Sequence, residues 1–100
     1  MRIVKSKFGV PIRLTEERWQ HIIRGHPELK KYQDEVLKTV ASPDEIYQGK
    51  QGELLAVREF AEDKLLVVIY REINQKDGFI ITAFLTKRKR KLSWRAKIWP

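Results

Sequence analysis

The chain has 100 residues, 42% of them apolar, with 21 Lys and Arg against 13 Asp and Glu, a formal net charge of +8 at neutral pH and no cysteine. That length supports one domain with one hydrophobic core and leaves little room for separate functional modules. The missing cysteines exclude disulfides, thiolate nucleophiles and thiolate metal sites, and no apolar run approaches the roughly 20 residues of a membrane span, so the sequence reads as a soluble, cytoplasmic protein with no membrane partner.

Met1 to Lys5 and Val10 to Leu14 are short β-prone runs about a Ser6 to Gly9 turn, an expected N-terminal hairpin. Thr15 stands as N-cap of a helix with Glu16 and Glu17 in its first turn, where carboxylates suit the positive end of the helix dipole. Trp19, Ile22, Ile23 and His26 follow the i, i+3, i+4, i+7 stripe, so this helix buries one face. Gly25 supplies a stop, and Pro27 steers His26 away from α geometry, which places His26 in a joint between two helices. A second helix is expected from Pro27 to near Ala41, with Leu29, Tyr32, Val36, Leu37 and Val40 on its apolar stripe and Ser42-Pro43 as its end.

Beyond Pro43 the period changes to two or to continuous apolar runs, at Glu45 to Gln48, Glu53 to Phe60, Lys64 to Glu72 and Gly78 to Thr86. Helices followed by consecutive strands predict an α+β fold, with N-terminal helices packed on one face of an antiparallel sheet of about four strands. If Phe60 pairs with Leu65 and Ile73 with Gly78, one face holds Leu55, Val57, Leu66, Val68, Tyr70, Phe79, Ile81, Ala83 and Leu85 and lies under the helices. The other then holds Arg58, Arg71 and Thr82 among Leu54, Ala56, Val67, Ile69, Ile80 and Phe84. A one-residue bulge would transfer Arg58 or Thr82 between faces.

The charge is segregated. Seven of the 21 cations (Lys87, Arg88, Lys89, Arg90, Lys91, Arg95 and Lys97) follow Asp77, the last acid, so residues 1–86 hold 14 cations against 13 acids. The expected organisation is a nearly neutral domain over residues 1–86 and a basic, Trp-containing segment over 87–100. Lys87-Arg88-Lys89-Arg90-Lys91 can follow a phosphate backbone while Trp94 stacks on an unpaired base, which makes RNA the expected partner. A solvated tail, a strand or helix over Leu92 to Trp99 that docks on the domain or on a partner, and, ranked lower for want of a long apolar face, binding to an anionic membrane are the other readings.

The second sheet face and the two histidines supply the groups for phosphodiester cleavage without a metal or cofactor. Arg holds phosphate bidentately, a hydroxyl donates to a non-bridging oxygen, and His moves a proton near neutral pH. For RNA the nucleophile is the neighbouring 2′-hydroxyl, so none need be imported. His21 lies about 200° round the first helix from Trp19, on the polar flank with Arg18. The plain structural readings are a solvated His21, a His26 that caps the second helix, surface ion pairs for Arg58 and Arg71, and a Thr82 that is only a good strand former.

The words Leu14-Thr15-Glu16-Glu17-Arg18-Trp19-Gln20-His21-Ile22, Arg24-Gly25-His26-Pro27-Glu28, Leu66-Val67-Val68-Ile69-Tyr70 and Ile80-Ile81-Thr82-Ala83-Phe84 resemble the phage-associated branch of the barnase, EndoU, colicin and RelE nuclease superfamily, over roughly residues 12–86. The resemblance implies a RelE- or barnase-like fold and a metal-independent ribonuclease, the toxin of a toxin–antitoxin pair or a phage effector, with an acidic antitoxin as a second partner. It implies a catalytic set of His21, His26, Arg58 and Thr82, while charge and stacking surface, apart from the resemblance, make Arg71, Lys87, Arg88, Lys89, Arg90, Lys91 and Trp94 the expected RNA-binding residues. Tyr70 also matches a recurring word, but parity places it under the helices as a structural residue. The alternatives are a non-catalytic nucleic-acid-binding module and an interaction domain for an acidic protein.

Overall fold

In the computed structural model, which describes residues 1–87 and 95–100, the chain opens with the hairpin that its sequence favours. Strands β1 (Arg2–Lys5) and β2 (Pro11–Leu14) pair antiparallel, with Val4 opposite Ile12. Thr15 then caps α1 (Glu16–Gly25), its hydroxyl accepting from the Arg18 amide at 3.1 Å, while Trp19 and Ile22 are buried. The continuous helix expected from Pro27 is in two pieces. Pro27 starts only a 3-10 turn (Pro27–Leu29), and α2 (Gln33–Ala41) begins after Tyr32, whose extended φ of −121° breaks the helical path. The break lets Leu29 reach the core with no exposed surface and sets the Tyr32 ring edge-on to Phe60 at 4.9 Å.

Five more strands follow: β3 (Glu45–Gln48), β4 (Leu54–Ala61), β5 (Lys64–Asn74), β6 (Asp77–Thr86) and β7 (Lys97–Trp99). The four-stranded antiparallel sheet expected under N-terminal helices is therefore wrong, although the class is still α+β. The described residues form a seven-stranded mixed sheet in the order β1-β2-β6-β5-β4-β3-β7, with two short helices inserted after its first hairpin. Two additions to the expected strands make the difference. The hairpin joins through a parallel pairing of Ile12 with Gly78 and Arg13 with Phe79, and β7 returns to pair with β3. The parallel joint needs a glycine, because a Cβ on Gly78 would lie 2.5 Å from both the Arg71 carbonyl oxygen and Ile12 Cδ1. The sheet curls until its edges meet, with Lys7 Nζ in the first turn standing 4.5 Å from the ring centre of Trp99 in β7.

Three one-residue bulges sort the side chains. Phe60 is extra in β4, Ile73 in β5 and Ile81 in β6. The first turns Arg58, with its partner Leu66, to the helix side and moves Leu55 and Val57 away from it, the reverse of the expected assignment. The second and third offset each other, so Thr82 pairs with Ile69 and Phe84 with Val67 as counted, while Ile80 joins the helix side opposite Tyr70. That side forms the main core, in which Leu66, Val68, Tyr70, Ile80 and Ala83 meet Ile12, Leu14, Trp19, Ile22, Leu29, Val36 and Val40. Tyr70 is fully buried there, as its parity implied, and no described group bonds its hydroxyl. Burial, with a smaller contribution from Glu72, pushes its phenol above the ordinary tyrosine range.

Removing an unsatisfied buried hydroxyl relieves a desolvation cost, so Tyr70→Phe should raise the urea midpoint, by about 1 kcal/mol of stability. A lower midpoint would show that the hydroxyl has a partner. Gly78→Ala should destabilise by about 2 kcal/mol or more, because both atoms its methyl meets belong to packed elements. An unchanged midpoint would mean that the β2–β6 joint yields freely.

Candidate functional site

The sheet face turned away from the helices is not uniformly open. On its β3–β4–β5 side Tyr47, Leu55, Val57 and Val67 form a second buried cluster, with Leu65, Ile69 and Phe84 packed on it. Polar groups with access to solvent are found toward β6. Thr82, Phe79 and Phe84 all lie on this face and all are partly exposed, an arrangement that simple alternation forbids and the Ile81 bulge creates.

Helix α1 runs beside this margin. Since β2 pairs with β6 only at Gly78 and Phe79, the edge of β6 beyond is left to α1, and Arg18 Nη1 donates to the Ile81 carbonyl at 3.4 Å. Arg18 and His21, one turn apart, line a shallow cleft of about 280 Å³ with Thr15 and Glu17. An adjoining cleft shares Thr15 and Arg18 and adds Arg13, Phe79 and Ile80. At the other end of α1 the His26 ring lies 6.2 Å from the ring of Phe84, and its Nδ1 is 3.6 Å from a Glu28 carboxylate oxygen. His26 makes no side-chain cap to the turn that follows, so capping does not account for it. His26 thus meets β6 at Phe84, while His21 shares the cleft of Arg18, the residue that reaches β6 at Ile81.

The other sequence candidates are placed elsewhere. Arg58 lies on the helix side, 3.7 Å from the Glu35 carboxylate of α2, on the face opposite Thr82. Arg71 shares the face of Thr82, and its Nη2 donates to the Gln51 carbonyl at 2.9 Å in the β3–β4 connection. Lys87 lines two shallow clefts at the far end of the sheet with Lys64. Arg88, Lys89, Arg90, Lys91 and Trp94 lie outside the described residues.

Arg13 and Arg18 were missed as site residues. Arg18 was legible from its place one turn before His21, whereas Arg13 is brought in by the parallel joint, which no local pattern announces. Arg13 is held by a two-pronged bond to Asp77, Nε to Oδ1 at 2.8 Å and Nη2 to Oδ2 at 3.0 Å, with its guanidinium 5.8 Å from the centre of Phe79. The Arg13 bond is the main cause holding the Asp77 carboxyl below its ordinary value.

Compared with known proteins, residues 1–99 match the model of PBECR2, described as phage-Barnase-EndoU-ColicinE5/D-RelE like nuclease2. The chain belongs to this family. PBECR2 membership makes it a nuclease-like domain, and the match takes in the first hairpin and β7, beyond the 12–86 span on which the resemblance rested. Searches of the curated proteins and of the solved structures found no match. Among the described residues no helix is long and apolar enough to cross a membrane, and no group of three or more His, Asp or Glu side chains is placed to hold a metal ion.

A carboxylate whose folded pKa is lowered contributes stability above its unfolded pKa and loses it as pH falls through the folded value. Asp77→Asn should therefore be less stable than the parent at pH 7 and lose less stability on acidification below the ordinary aspartate value of 3.8. Urea midpoints at neutral and acid pH check this. Parallel acid losses in the two proteins would remove Asp77 from the account.

Proposed function

We propose that this PBECR2 domain is a metal-independent endoribonuclease whose site is the groove between α1 and β6. The observation that carries the reading is that α1 borders the Thr82 stretch of β6, with Arg18 on the Ile81 carbonyl, His21 in the cleft beside Arg18 and His26 against Phe84. Five helical positions turn side chains about 140° apart, but His26, with φ −136° and ψ 69°, stands outside the helix and its ring is not bound to that direction. Cleavage asks for one proton acceptor and one proton donor on opposite sides of the phosphodiester.

In this reading His21 accepts the proton of a 2′-hydroxyl, and the resulting oxygen attacks the adjacent phosphorus. The bond from phosphorus to the 5′-oxygen breaks, and the leaving oxygen takes a proton from His26. The products are a 2′,3′-cyclic phosphate and a 5′-hydroxyl. The Thr82 hydroxyl donates to a non-bridging oxygen. Arg71 retains donors beyond the one given to Gln51 and supplies positive charge to the phosphorane. Arg58, paired with Glu35, ties α2 to β4 and takes no part. The cations from Lys87 to Lys91 recruit RNA by charge. An excess of eight positive charges also suits neutralisation by an acidic partner, the role an antitoxin would fill.

Incubation of the purified protein with RNA in EDTA should give fragments ending in cyclic phosphate. His21→Ala and His26→Ala should each lower the rate by about 10²–10⁴-fold, and a 2′-deoxy substrate should resist cleavage. Intact RNA on every substrate tried, with salt-sensitive binding retained, would leave a non-catalytic RNA-binding module instead. Neutralising Lys87 to Lys91 should raise KM while kcat at saturating RNA stays near the parent value, and an equal loss in both would place the cations inside the site. A small acidic protein encoded beside this one should bind it and suppress cleavage.

A further inference from the structure

The Ile81 bulge decides which way Thr82 faces. At its start β6 is in register with β5 through Glu72–Gly78 and Tyr70–Ile80, and an unbulged continuation would set Ile81 opposite Ile69 and Thr82 opposite Val68. Thr82 would then point into the helix-covered core, and Ile81 and Ala83 would face the groove. With Ile81 extra, Thr82 stands opposite Ile69 and Ala83 opposite Val68, so the small apolar residue is buried and the hydroxyl is presented. A bulged residue forfeits its ladder partner, and at Ile81 the neighbouring strand β2 has already ended. The bond this structure offers its carbonyl comes from Arg18.

We infer that Arg18 is a positioning residue, a clamp on the Ile81 bulge that fixes Thr82 on the groove side of β6. The clamp is set by neighbours. The Thr15 hydroxyl holds the Arg18 amide at 3.1 Å and so fixes the first turn of α1, and buried Trp19 anchors the next position in the core. A guanidinium bond to a carbonyl is charge-assisted and resists replacement by a neutral side chain. The role deepens the ribonuclease reading for its kinetic consequence, whereas its structural consequence can be measured without any substrate.

The test compares Arg18→Met, which keeps the length of the chain and loses every donor, with Arg18→Lys, whose ammonium can reach the same carbonyl. In the parent, NMR should show Thr82 side-chain contacts to Ile69. In Arg18→Met those contacts should weaken, contacts from Thr82 to Val68 should appear, and the Ile81 to Ala83 amides should exchange faster. RNA cleavage by this variant should fall about tenfold in kcat with KM little changed, the pattern of a group lost from the transition state. Arg18→Lys should restore both register and kcat. Parent-like Thr82–Ile69 contacts in Arg18→Met would overturn the clamp, and so would a fall in kcat with the register intact, because Arg18 would then act on the substrate itself. If the parent cleaves no RNA, the ribonuclease reading falls, while the NMR comparison still decides the clamp.

Discussion

The pairing of β5 with β6 governs the rest of the molecule, because it sets at once what the helices bury and what the groove presents. These are the two longest strands, at 11 and 10 residues, and they sit in the middle of the sheet. A slip of one residue along either would exchange every side chain between faces, taking Val68 and Tyr70 out of the core. The apolar demand of that core therefore fixes the register firmly. Within it, two bulges on opposite strands depart from simple alternation and return to it, leaving a short stretch of β6 where the faces are reassigned. That stretch is Gly78 to Ile80, and Thr82 lies just past the bulge that closes it.

Around this pair the remaining elements act as fastenings. Gly78 lets β2 approach from one side, and the Arg13–Asp77 bond holds that approach close to the turn that starts β6. On the other side β4, β3 and β7 extend the sheet until it curls back toward the first hairpin. A sheet with short outer strands and a curl of this kind offers little flat edge to a neighbouring chain. Helices α1 and α2 cover one face of the sheet, and α1 lies far enough along β6 for Arg18 to reach the Ile81 carbonyl and for His26 to meet Phe84.

Much of this was legible in the residues. Thr15 as N-cap, Gly25 as stop, the first hairpin and the runs of β3 to β6 follow from local chemistry, and Tyr70 under the helices follows from parity. The errors came from features that are not local. A parallel joint between Ile12 and Gly78 cannot be read from consecutive strands, and three-residue β7 is too short to show a period. Phe60 has the same composition in a bulge as in a regular strand, so Arg58 was counted onto the wrong face. Thr82 kept its expected side only because the bulges at Ile73 and Ile81 offset each other, whereas Arg71 kept its side by plain alternation from Tyr70. The histidines were legible as residue types along a helix, whereas the approach of His26 to Phe84 and of Arg18, beside His21, to Ile81 needed the fold.

The return of β7 to the sheet places the cationic stretch between two strands of one sheet in the sequence. Its residues follow one ordered strand, β6, and precede another, β7, in the same sheet. The ten residues between Thr86 and Lys97 can span at most about 36 Å even fully drawn out. The run's two flanks thus belong to one sheet, and the family match over residues 1–99 takes in both of them, so a change that loosens β7 from β3 alters the same sheet that β6 anchors at its centre.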